Sequence, residues 1–381
     1  MSAPGRPKRE SSLGEEVAQR QEGTMHAPGR PKRESSLGEE VAQRQEGTPT
    51  RGAPIVQVDG LTRDFKLGRG AGNAVLRAVD NVSFQIGVGE TLGLVGESGS
   101  GKSTIGRMMI GLLPPSQGDI RLFGRSIAGK PGQANLKAVR HRLQFVFQDP
   151  YSSLNPRMRV GDAVAEPIDI AGKLDGKARG ERVAELFEMV GLPPSFASRF
   201  PHEFSGGQRQ RIVIARALAL NPDFVVCDEA VASLDVSMQA QIVNLLMDLQ
   251  DKLGLSYLFI AHDLAVVRAI SQRVAVLYAG EVVEIGAKRG LYAWPRHPYT
   301  QALLKAVPRP EVGRPRQPPI KGELLSVLDK PKGCSLAPRC PHAAERCREE
   351  KPRLREVEAG WQVACHFHET ISPAAPGSLS Q

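Results

Sequence analysis

The sequence predicts an α/β fold: a mostly parallel sheet with an inserted α-helical subdomain, followed by a small cysteine-containing C-terminal domain. A short apolar strand, Thr91–Val95, runs into a glycine-rich loop and then into a helical apolar pattern. Two further apolar strands, 224–227 and 257–260, are each followed by a helix, and strand–helix alternation favours a parallel sheet. Between about 149 and 220 the apolar spacing is mainly helical, which predicts the inserted subdomain.

The elements before the glycine-rich loop are two predicted strands. Residues 55–58 have the composition of an edge strand, and residues 82–86 alternate as a second one. The first predicted domain, which contains the inserted helical subdomain, spans 54–307. A proline-rich stretch, 308–319, then opens a C-terminal domain predicted over 308–370, with a flexible tail at 371–381.

The first 53 residues contain a direct repeat, because residues 3–24 recur identically as 27–48. The unit is rich in Gly, Pro, Arg and Glu and nearly free of large apolar residues, so we predict a disordered tail over 1–53. A recent duplication, or a translation start at Met25, explains the repeat better than a function of its own.

Bulk composition limits the function classes. The chain has 381 residues and a net charge of +9, and no uninterrupted apolar stretch is long enough to span a bilayer. The N-terminus is polar and lacks the apolar core of a secretory signal, so we expect a cytoplasmic protein with reduced cysteines. No basic run is interleaved with aromatics, so we interpret the charge as scattered surface residues and expect no nucleic-acid partner.

The glycine-rich loop matches the full phosphate-binding pattern between a strand and a helix. Its glycines let backbone N–H groups wrap phosphates, Lys102 adds a positive charge, and the Ser103 hydroxyl suits Mg²⁺. A simple glycine-rich turn is the competing interpretation, and the flanking elements disfavour it. The candidate nucleotide-binding residues are Gly96, Glu97, Ser98, Gly99, Ser100, Gly101, Lys102, Ser103 and Thr104.

A second anion-binding candidate is Ser205-Gly206-Gly207-Gln208, which opens a strongly helical run. Two glycines after a serine expose backbone N–H groups at a helix start. Taken alone, the same pattern is more often a simple helix cap.

An acidic pair, Asp228-Glu229, follows the apolar strand 224–227. Asp228 is placed to hold Mg²⁺ through water, and Glu229 to act as the base for an attacking water. Helix capping is the alternative for such a pair. Its position after a phosphate loop favours catalysis.

These motifs, in this order, resemble the ATP-binding cassette (ABC) family of ATPases over about residues 55–368. The resemblance implies ATP and Mg²⁺ as ligands, with Gln148 touching Mg²⁺ and the attacking water and His262 contacting the γ-phosphate. It places Phe65 on the adenine and adds Asp235, from Ser233-Leu234-Asp235, to the nucleotide-binding set. It also implies a dimer of two cassettes in which residues 205–208 bind the ATP held by the partner.

The sequence departs from the common family pattern in three places. Phe204 precedes the Ser-Gly-Gly-Gln motif where leucine is usual, Ala230 stands where proline often follows the glutamate, and Ala232-Ser233 inverts the usual order. None of them removes a group with a chemical task.

Three stretches resemble the oligopeptide and dipeptide importer branch: residues 148–156, His297-Pro298-Tyr299-Thr300, and the cysteine-bearing tail. The first is similar to the second ATPase of heteromeric importers. This implies a related ATPase as partner (a homodimer is the alternative), two membrane permeases, a solute-binding protein, and a peripheral location on the cytoplasmic face of the bacterial inner membrane. Importers of nickel or glutathione share the branch, and a soluble cassette ATPase acting on nucleic acid is a further alternative.

Four cysteines cluster near the C-terminus: Cys334, Cys340, Cys347 and Cys365. Four thiolates on a short segment of low apolar content suggest a metal or cluster that stabilises the fold. Cys340-Pro341 and the family resemblance favour a [4Fe-4S] cluster, with zinc next and four unrelated buried thiols as the remaining alternative.

Overall fold

The computed structural model describes residues 54–67, 75–172, 174–306 and 331–371. The predicted disordered tail 1–53, the proline-rich stretch 308–319 and the predicted flexible tail beyond residue 371 lie outside these ranges. Across the described ranges, no helix combines the length and apolar character needed to cross a lipid bilayer.

The strands are β1 (Pro54–Lys66), β2 (Val75–Gly87), β3 (Thr91–Val95), β4 (Gln117–Leu122), β5 (Arg125–Ser126), β6 (Leu143–Val146), β7 (Phe224–Asp228), β8 (Ser256–Ala261), β9 (Arg273–Tyr278), β10 (Glu281–Ala287), β11 (Arg355–Glu358) and β12 (Trp361–Val363). The α-helices are α1 (Lys102–Met109), α2 (Gly129–Val139), α3 (Pro150–Ser153), α4 (Val160–Ala171), α5 (Gly176–Met189), α6 (Gly206–Leu218), α7 (Val236–Leu253), α8 (Leu264–Ile270), α9 (Lys288–Ala293), α10 (Pro298–Ala306) and α11 (Glu345–Glu349).

The large sheet has the strand order β11-β12-β10-β9-β3-β8-β7-β6. Strands β6, β7, β8, β3 and β9 run parallel, and β10, β12 and β11 continue antiparallel. Every residue of β3, β7 and β8 is buried, which fits strands that are covered on both faces. The parallel sheet that the sequence predicts is confirmed. Its carboxyl ends gather the loops after β3, β6, β7 and β8 at one edge, where ligands bind in such sheets.

A second sheet, with the order β2-β1-β4-β5, is antiparallel and was not foreseen. Strand β1 pairs with β2 on one side and β4 on the other, so the prediction of an edge strand at 55–58 is wrong. A period-two apolar pattern reports which face is buried, but it cannot report how many neighbours a strand has. One apolar core, which includes Ile86, Leu94 and Ile260, fills the space between the two sheets.

The predicted helical subdomain consists of α3, α4, α5 and α6, joined by 3₁₀ turns at Pro194–Ser198 and Pro201–Glu203. Leu186 and Phe187 of α5 are fully buried, as the apolar spacing predicts. Helix α6 packs against α3, α4 and α5, so it carries the Ser-Gly-Gly-Gln motif on a rigid support.

The C-terminal segment extends the large sheet, because β12 pairs with β10. Trp361 of β12 lies so close to Gly286 and Gly290 that a Cβ at either glycine would come within 3.0 Å of its ring. Its indole Nε1 donates a hydrogen bond of 3.0 Å to the buried carboxylate of Glu284. These contacts fix the cysteine-bearing segment to the nucleotide-binding domain.

Candidate functional site

The phosphate loop joins β3 to α1 at the carboxyl edge of the large sheet. Gly101 has a φ of 103°, which favours glycine, and it caps the start of α1. The Lys102 side chain is buried, and its Nζ donates to the carbonyls of Gly96 at 2.8 Å and Glu97 at 2.9 Å. Burial lowers the pKa of Lys102, although the carboxylates of Glu229 and Asp228 oppose the shift. The loop therefore holds a desolvated cation at its centre.

Ser103 and Asp228 meet across the sheet edge. The Ser103 hydroxyl donates a 2.8 Å hydrogen bond to Oδ1 of Asp228. Burial raises the pKa of Asp228, and the hydrogen bond from Ser103 acts in the opposite direction. A hydroxyl beside a desolvated carboxylate is a pair of hard oxygen donors, the type that Mg²⁺ prefers. Two of the three residues predicted for magnesium, Ser103 and Asp228, therefore suit that ion.

Glu229 lies between Gln148 and His262. Gln148 Nε2 donates to Oε2 of Glu229 at 2.7 Å, and His262 Nδ1 approaches Oε1 at 3.7 Å. The three residues follow β6, β7 and β8, so the parallel order of these strands brings them together. Gln148 and Glu229 are 81 residues apart in the sequence, and only the sheet makes them neighbours.

The backbone at Glu229 is unusual. Its φ is 49°, a left-handed value that few residues other than glycine adopt. Its N–H donates to the Ile260 carbonyl of β8 at 2.9 Å, which holds the residue in this conformation. A strained non-glycine backbone is typical of functional positions.

The Ser205–Gln208 segment is a helix cap in this structure. The Ser205 hydroxyl accepts from the Gln208 N–H at 3.4 Å, and the Gln208 side chain accepts from the Ser205 N–H at 3.0 Å. Among the described residues, no hydrogen bond or ion pair joins this segment to the phosphate loop. Capping and anion binding are compatible, because the cap leaves the N–H groups of Gly206 and Gly207 at the helix start.

Three other positions of interest have structural contacts. Asp235 caps α7 by accepting from the Met238 N–H at 2.9 Å. Phe65 lies at the end of β1 with the Arg63 guanidinium 4.7 Å from its ring centroid. Phe204 is buried, with its ring centroid 5.6 Å from that of Phe196, so this departure from the family pattern fills the core of the helical subdomain.

Two residues that the sequence motifs do not predict for the site contact Glu97 of the phosphate loop. The buried Tyr299 hydroxyl accepts from the Glu97 N–H at 2.9 Å. The guanidinium of Arg339 pairs with the Glu97 carboxylate at 3.1 Å. Tyr299 belongs to the His-Pro-Tyr-Thr stretch and could have been singled out there. Nothing in the sequence marks Arg339.

The four C-terminal cysteines line one cavity of about 20 Å³, together with His297 and Pro298. Burial raises the pKa of Cys334 to about 11, and it also raises the pKa values of Cys340 and Cys365. Within the part of the chain that the structure describes, no group of three or more His, Cys, Asp or Glu residues is arranged to hold a metal ion. The thiols therefore converge, but the expected [4Fe-4S] cluster gains no support from their arrangement. The fifth cysteine, Cys227, is fully buried in β7.

Comparison with known families gives two matches along the chain. The model for the ABC transporter family matches residues 79–232, which include the phosphate loop, Gln148, the Ser-Gly-Gly-Gln motif and the Asp-Glu pair. The model for the C-terminal region of oligopeptide/dipeptide transporters matches residues 283–347.

Similar whole proteins are found in bacteria. A peptide import ATP-binding protein of Brucella abortus is 66% identical over 316 residues, which cover 82% of this chain and 94% of that protein. The oligopeptide transport ATP-binding protein YkfD of Bacillus subtilis is 48% identical, over 84% of this chain and 97% of its own length.

Solved structures show the same fold. An ATP-binding cassette dimer in a post-hydrolysis state, bound to ADP and Pi, has a TM-score of 0.55 and 31% identity, covering 62% of this chain and 100% of that one. CbiO1 from Clostridium perfringens, part of an ABC transporter complex, has a TM-score of 0.55 and 27% identity, covering 63% of this chain and 91% of its own.

Proposed function

Because this chain belongs to the ATP-binding subunits of peptide-importing ABC transporters, we propose that it hydrolyses the ATP that drives import at the group formed by Gln148, Glu229 and His262. Membership of the family establishes the ATPase activity and an oligopeptide- or dipeptide-type transporter. It favours peptides over nickel or glutathione as the cargo, and transport over action on nucleic acid. The roles of individual residues are the proposal. The observation that supports it best is the convergence of Gln148, Glu229 and His262 beside the phosphate loop.

The phosphate loop would bind the β- and γ-phosphates. Backbone N–H groups and the start of α1 supply the dipole, and Lys102 supplies a charge that is already desolvated. A desolvated cation interacts more strongly with phosphate than one in water, because the surrounding dielectric is lower. Phe65 is the proposed platform for the adenine ring.

ABC ATPases act on ATP together with Mg²⁺, which neutralises charge on the phosphate oxygens when bound. In this chain Ser103, Asp228 and Gln148 would hold the ion. The 2.8 Å contact between Ser103 and Asp228 supports this assignment, because two hard oxygen ligands are already paired there.

Hydrolysis requires water to attack the γ-phosphate in line with the leaving oxygen. Glu229 would orient that water and accept its proton, Gln148 would hold the carboxylate by its 2.7 Å hydrogen bond, and His262 would contact the γ-phosphate. The positive φ of Glu229 is a strained backbone conformation of the kind that clusters at active sites, which agrees with this role.

The substitution Glu229→Gln tests this role. It keeps the size of the side chain and removes the base, so the turnover rate should fall by about 10²- to 10⁴-fold while ATP binding is retained. The control is Glu181→Gln, which alters an exposed carboxylate in the helical subdomain and should leave turnover unchanged. Near-normal hydrolysis by the Glu229→Gln variant would remove this residue from the role of base.

We further propose that the working unit is a dimer in which residues 205–208 of each subunit close on the ATP of the other, with Asp235 at the same seam. The similar solved structure, a cassette bound to ADP and Pi, is a dimer, which supports dimerisation for this fold. The partner is proposed to be a second, related ATPase. The dimer would bind two permease subunits at the cytoplasmic face of the inner membrane and serve a solute-binding protein.

Purification of the chain from cells that express the whole transporter tests this assembly. A second ATP-binding subunit and two permeases should copurify with it. A homodimer would be shown instead if mixing Lys102→Ala chains with Gly207→Asp chains restored hydrolysis, because the mixed dimer contains one intact composite site.

The four-cysteine cavity carries a separate proposal, that of a thiolate-ligated [4Fe-4S] cluster, with zinc as the alternative. Its basis is the sequence, which places four cysteines on one short segment, and in the structure the four thiols line one cavity without the arrangement of a metal site. Anaerobically purified protein should contain iron and acid-labile sulfide. Protein with neither iron, sulfide nor zinc would leave four buried thiols as the correct interpretation.

A further inference from the structure

Glu97, the second residue of the phosphate loop, is held by residues from the C-terminal quarter of the chain. Arg339 lies 242 residues away in sequence, and its Nη1 and Nη2 atoms reach the two oxygens of the Glu97 carboxylate at 3.1 and 3.4 Å. Only 6% of the Arg339 side chain is exposed, against 28% for Glu97. A two-pronged contact of this burial is not a screened surface pair, so it constrains the loop.

The main chain of Glu97 is held as well. Its N–H donates to the Tyr299 hydroxyl at 2.9 Å, and the Tyr299 ring lies 4.6 Å from that of Tyr278. The Tyr278 hydroxyl accepts from Arg339 at 3.4 Å. Glu97, Arg339 and the two tyrosines therefore form one connected group behind the phosphate loop.

Arg339 is itself fixed by the cysteine-bearing segment. Arg339 lies in a series of tight turns closed by backbone hydrogen bonds. The Ala337 N–H donates to the Cys334 carbonyl, the Arg339 N–H to the Leu336 carbonyl and the Cys340 N–H to the Ala337 carbonyl. Lys351 ties the same segment to Asp80 at 2.8 Å and to Glu281 at 3.0 Å. The position of the Arg339 guanidinium is thus set by the fold of the segment and not by free rotation of an exposed side chain.

We propose that Arg339 is a positioning residue for ATP binding: through Glu97 it holds the phosphate loop in its binding conformation, and this makes the C-terminal segment a determinant of ATP affinity. The proposal rests on the assignment of the phosphate loop as the ATP site. The loop closes on phosphates with main-chain N–H groups, so its affinity depends on how well its backbone is pre-organised.

Replacement of Arg339 should weaken ATP binding more than it slows the chemical step. In the Arg339→Met variant we expect the Kd and KM for ATP to rise by about tenfold, the size of coupling found between residues in direct contact. The kcat at saturating ATP should stay within about twofold, because the Gln148–Glu229–His262 group is untouched. Arg339→Lys keeps the charge but loses the two-pronged geometry, so it should recover only part of the affinity.

The matched control is Arg346→Met. Arg346 lies in the same segment and pairs with Glu350 at 2.8 Å, but both side chains are more than half exposed. Its loss should leave the Kd within about twofold, since exposed pairs contribute little. Binding of Mg-ATP is measured on the full-length chain, and kcat and KM on the reconstituted transporter.

A double-mutant cycle with Glu97→Gln separates positioning from general damage to the fold. If Arg339 acts through Glu97, adding Arg339→Met to Glu97→Gln should cause little further loss of affinity. Independent losses that multiply, a wild-type Kd in Arg339→Met, or a fall in kcat at unchanged KM would each overturn the proposal. The Lys102→Ala variant tests the premise that the phosphate loop binds ATP. Normal ATP binding by this variant would show that the loop is not the ATP site.

Discussion

The two glycines in the middle of the phosphate loop allow a matched test of how tightly the loop is packed. Gly99 has a φ of 77° and Gly101 a φ of 103°, so alanine is strained at both positions. A Cβ at Gly99 would meet no atom within 4 Å. A Cβ at Gly101 would lie 2.4 Å from the backbone carbonyl oxygen of Ala78 in β2.

The expected losses of unfolding free energy follow from these surroundings. Gly99→Ala should cost about 1–2 kcal/mol, the penalty of the left-handed conformation. Gly101→Ala carries the same penalty, and its contact must also lengthen from 2.4 Å to at least 3.0 Å by a shift of the backbone. Such overpacking adds about 1–3 kcal/mol, for a total of about 2–5 kcal/mol. The lower entropy of the unfolded alanine chain affects both variants equally and cancels in the comparison.

Urea unfolding of the full-length chain without nucleotide, followed by circular dichroism, measures the difference directly. The urea concentration at the midpoint of unfolding should fall for both variants, and it should fall further for Gly101→Ala. Equal losses in the two variants would refute the argument, because they would show that β2 or the loop moves aside at no cost.

Three further predictions concern other parts of the molecule. Burial lowers the pKa of His297 to about 3 from 6.5, so the unfolded chain binds the proton first, and stability is lost as pH falls below 6.5. The unfolding free energy should fall by about 2 kcal/mol between neutral pH and pH 5. In a plot of unfolding free energy against pH, from urea denaturation, His297→Gln should flatten this decrease, whereas substitution of the exposed His202 should not. In metal-free protein at pH 8, alkylation of Cys334, whose pKa burial raises to about 11, should be about a hundredfold slower than in the urea-unfolded chain; equal rates would contradict its burial. Asp235→Ala removes the cap of α7 and should lower the unfolding free energy by about 1 kcal/mol, as measured by urea denaturation; an unchanged value would show that the cap adds no stability.

Much of the nucleotide-binding fold can be predicted from the sequence because its signals are local. The strand 91–95 is found with its predicted bounds, and the strands predicted at 224–227 and 257–260 each differ from the observed ones by one or two residues. These strands are buried on both faces, so they appear as continuous apolar runs that a reader of the sequence can recognise. The phosphate loop is equally local, since its spacing is fixed by the phosphates that it wraps.

Partners across a sheet cannot be predicted in the same way. The antiparallel sheet of β1, β2, β4 and β5 was missed, and β1 was assigned to an edge although it pairs on both sides. Strand pairing between distant segments is decided by loop closure and by shape, and neither leaves a pattern within one strand.

The chemistry of this protein can be predicted from local motifs: a phosphate loop, an acidic pair and a helix-opening Ser-Gly-Gly-Gln, in the order of an ABC ATPase. Which side chains meet depends on the folded arrangement of the strands and helices. It joined Gln148 and His262 to Glu229 through the order of β6, β7 and β8, and it brought Arg339 to Glu97. Motifs are local because the groups that they bind are small, whereas contacts between distant residues exist only once apolar burial has closed the chain on itself.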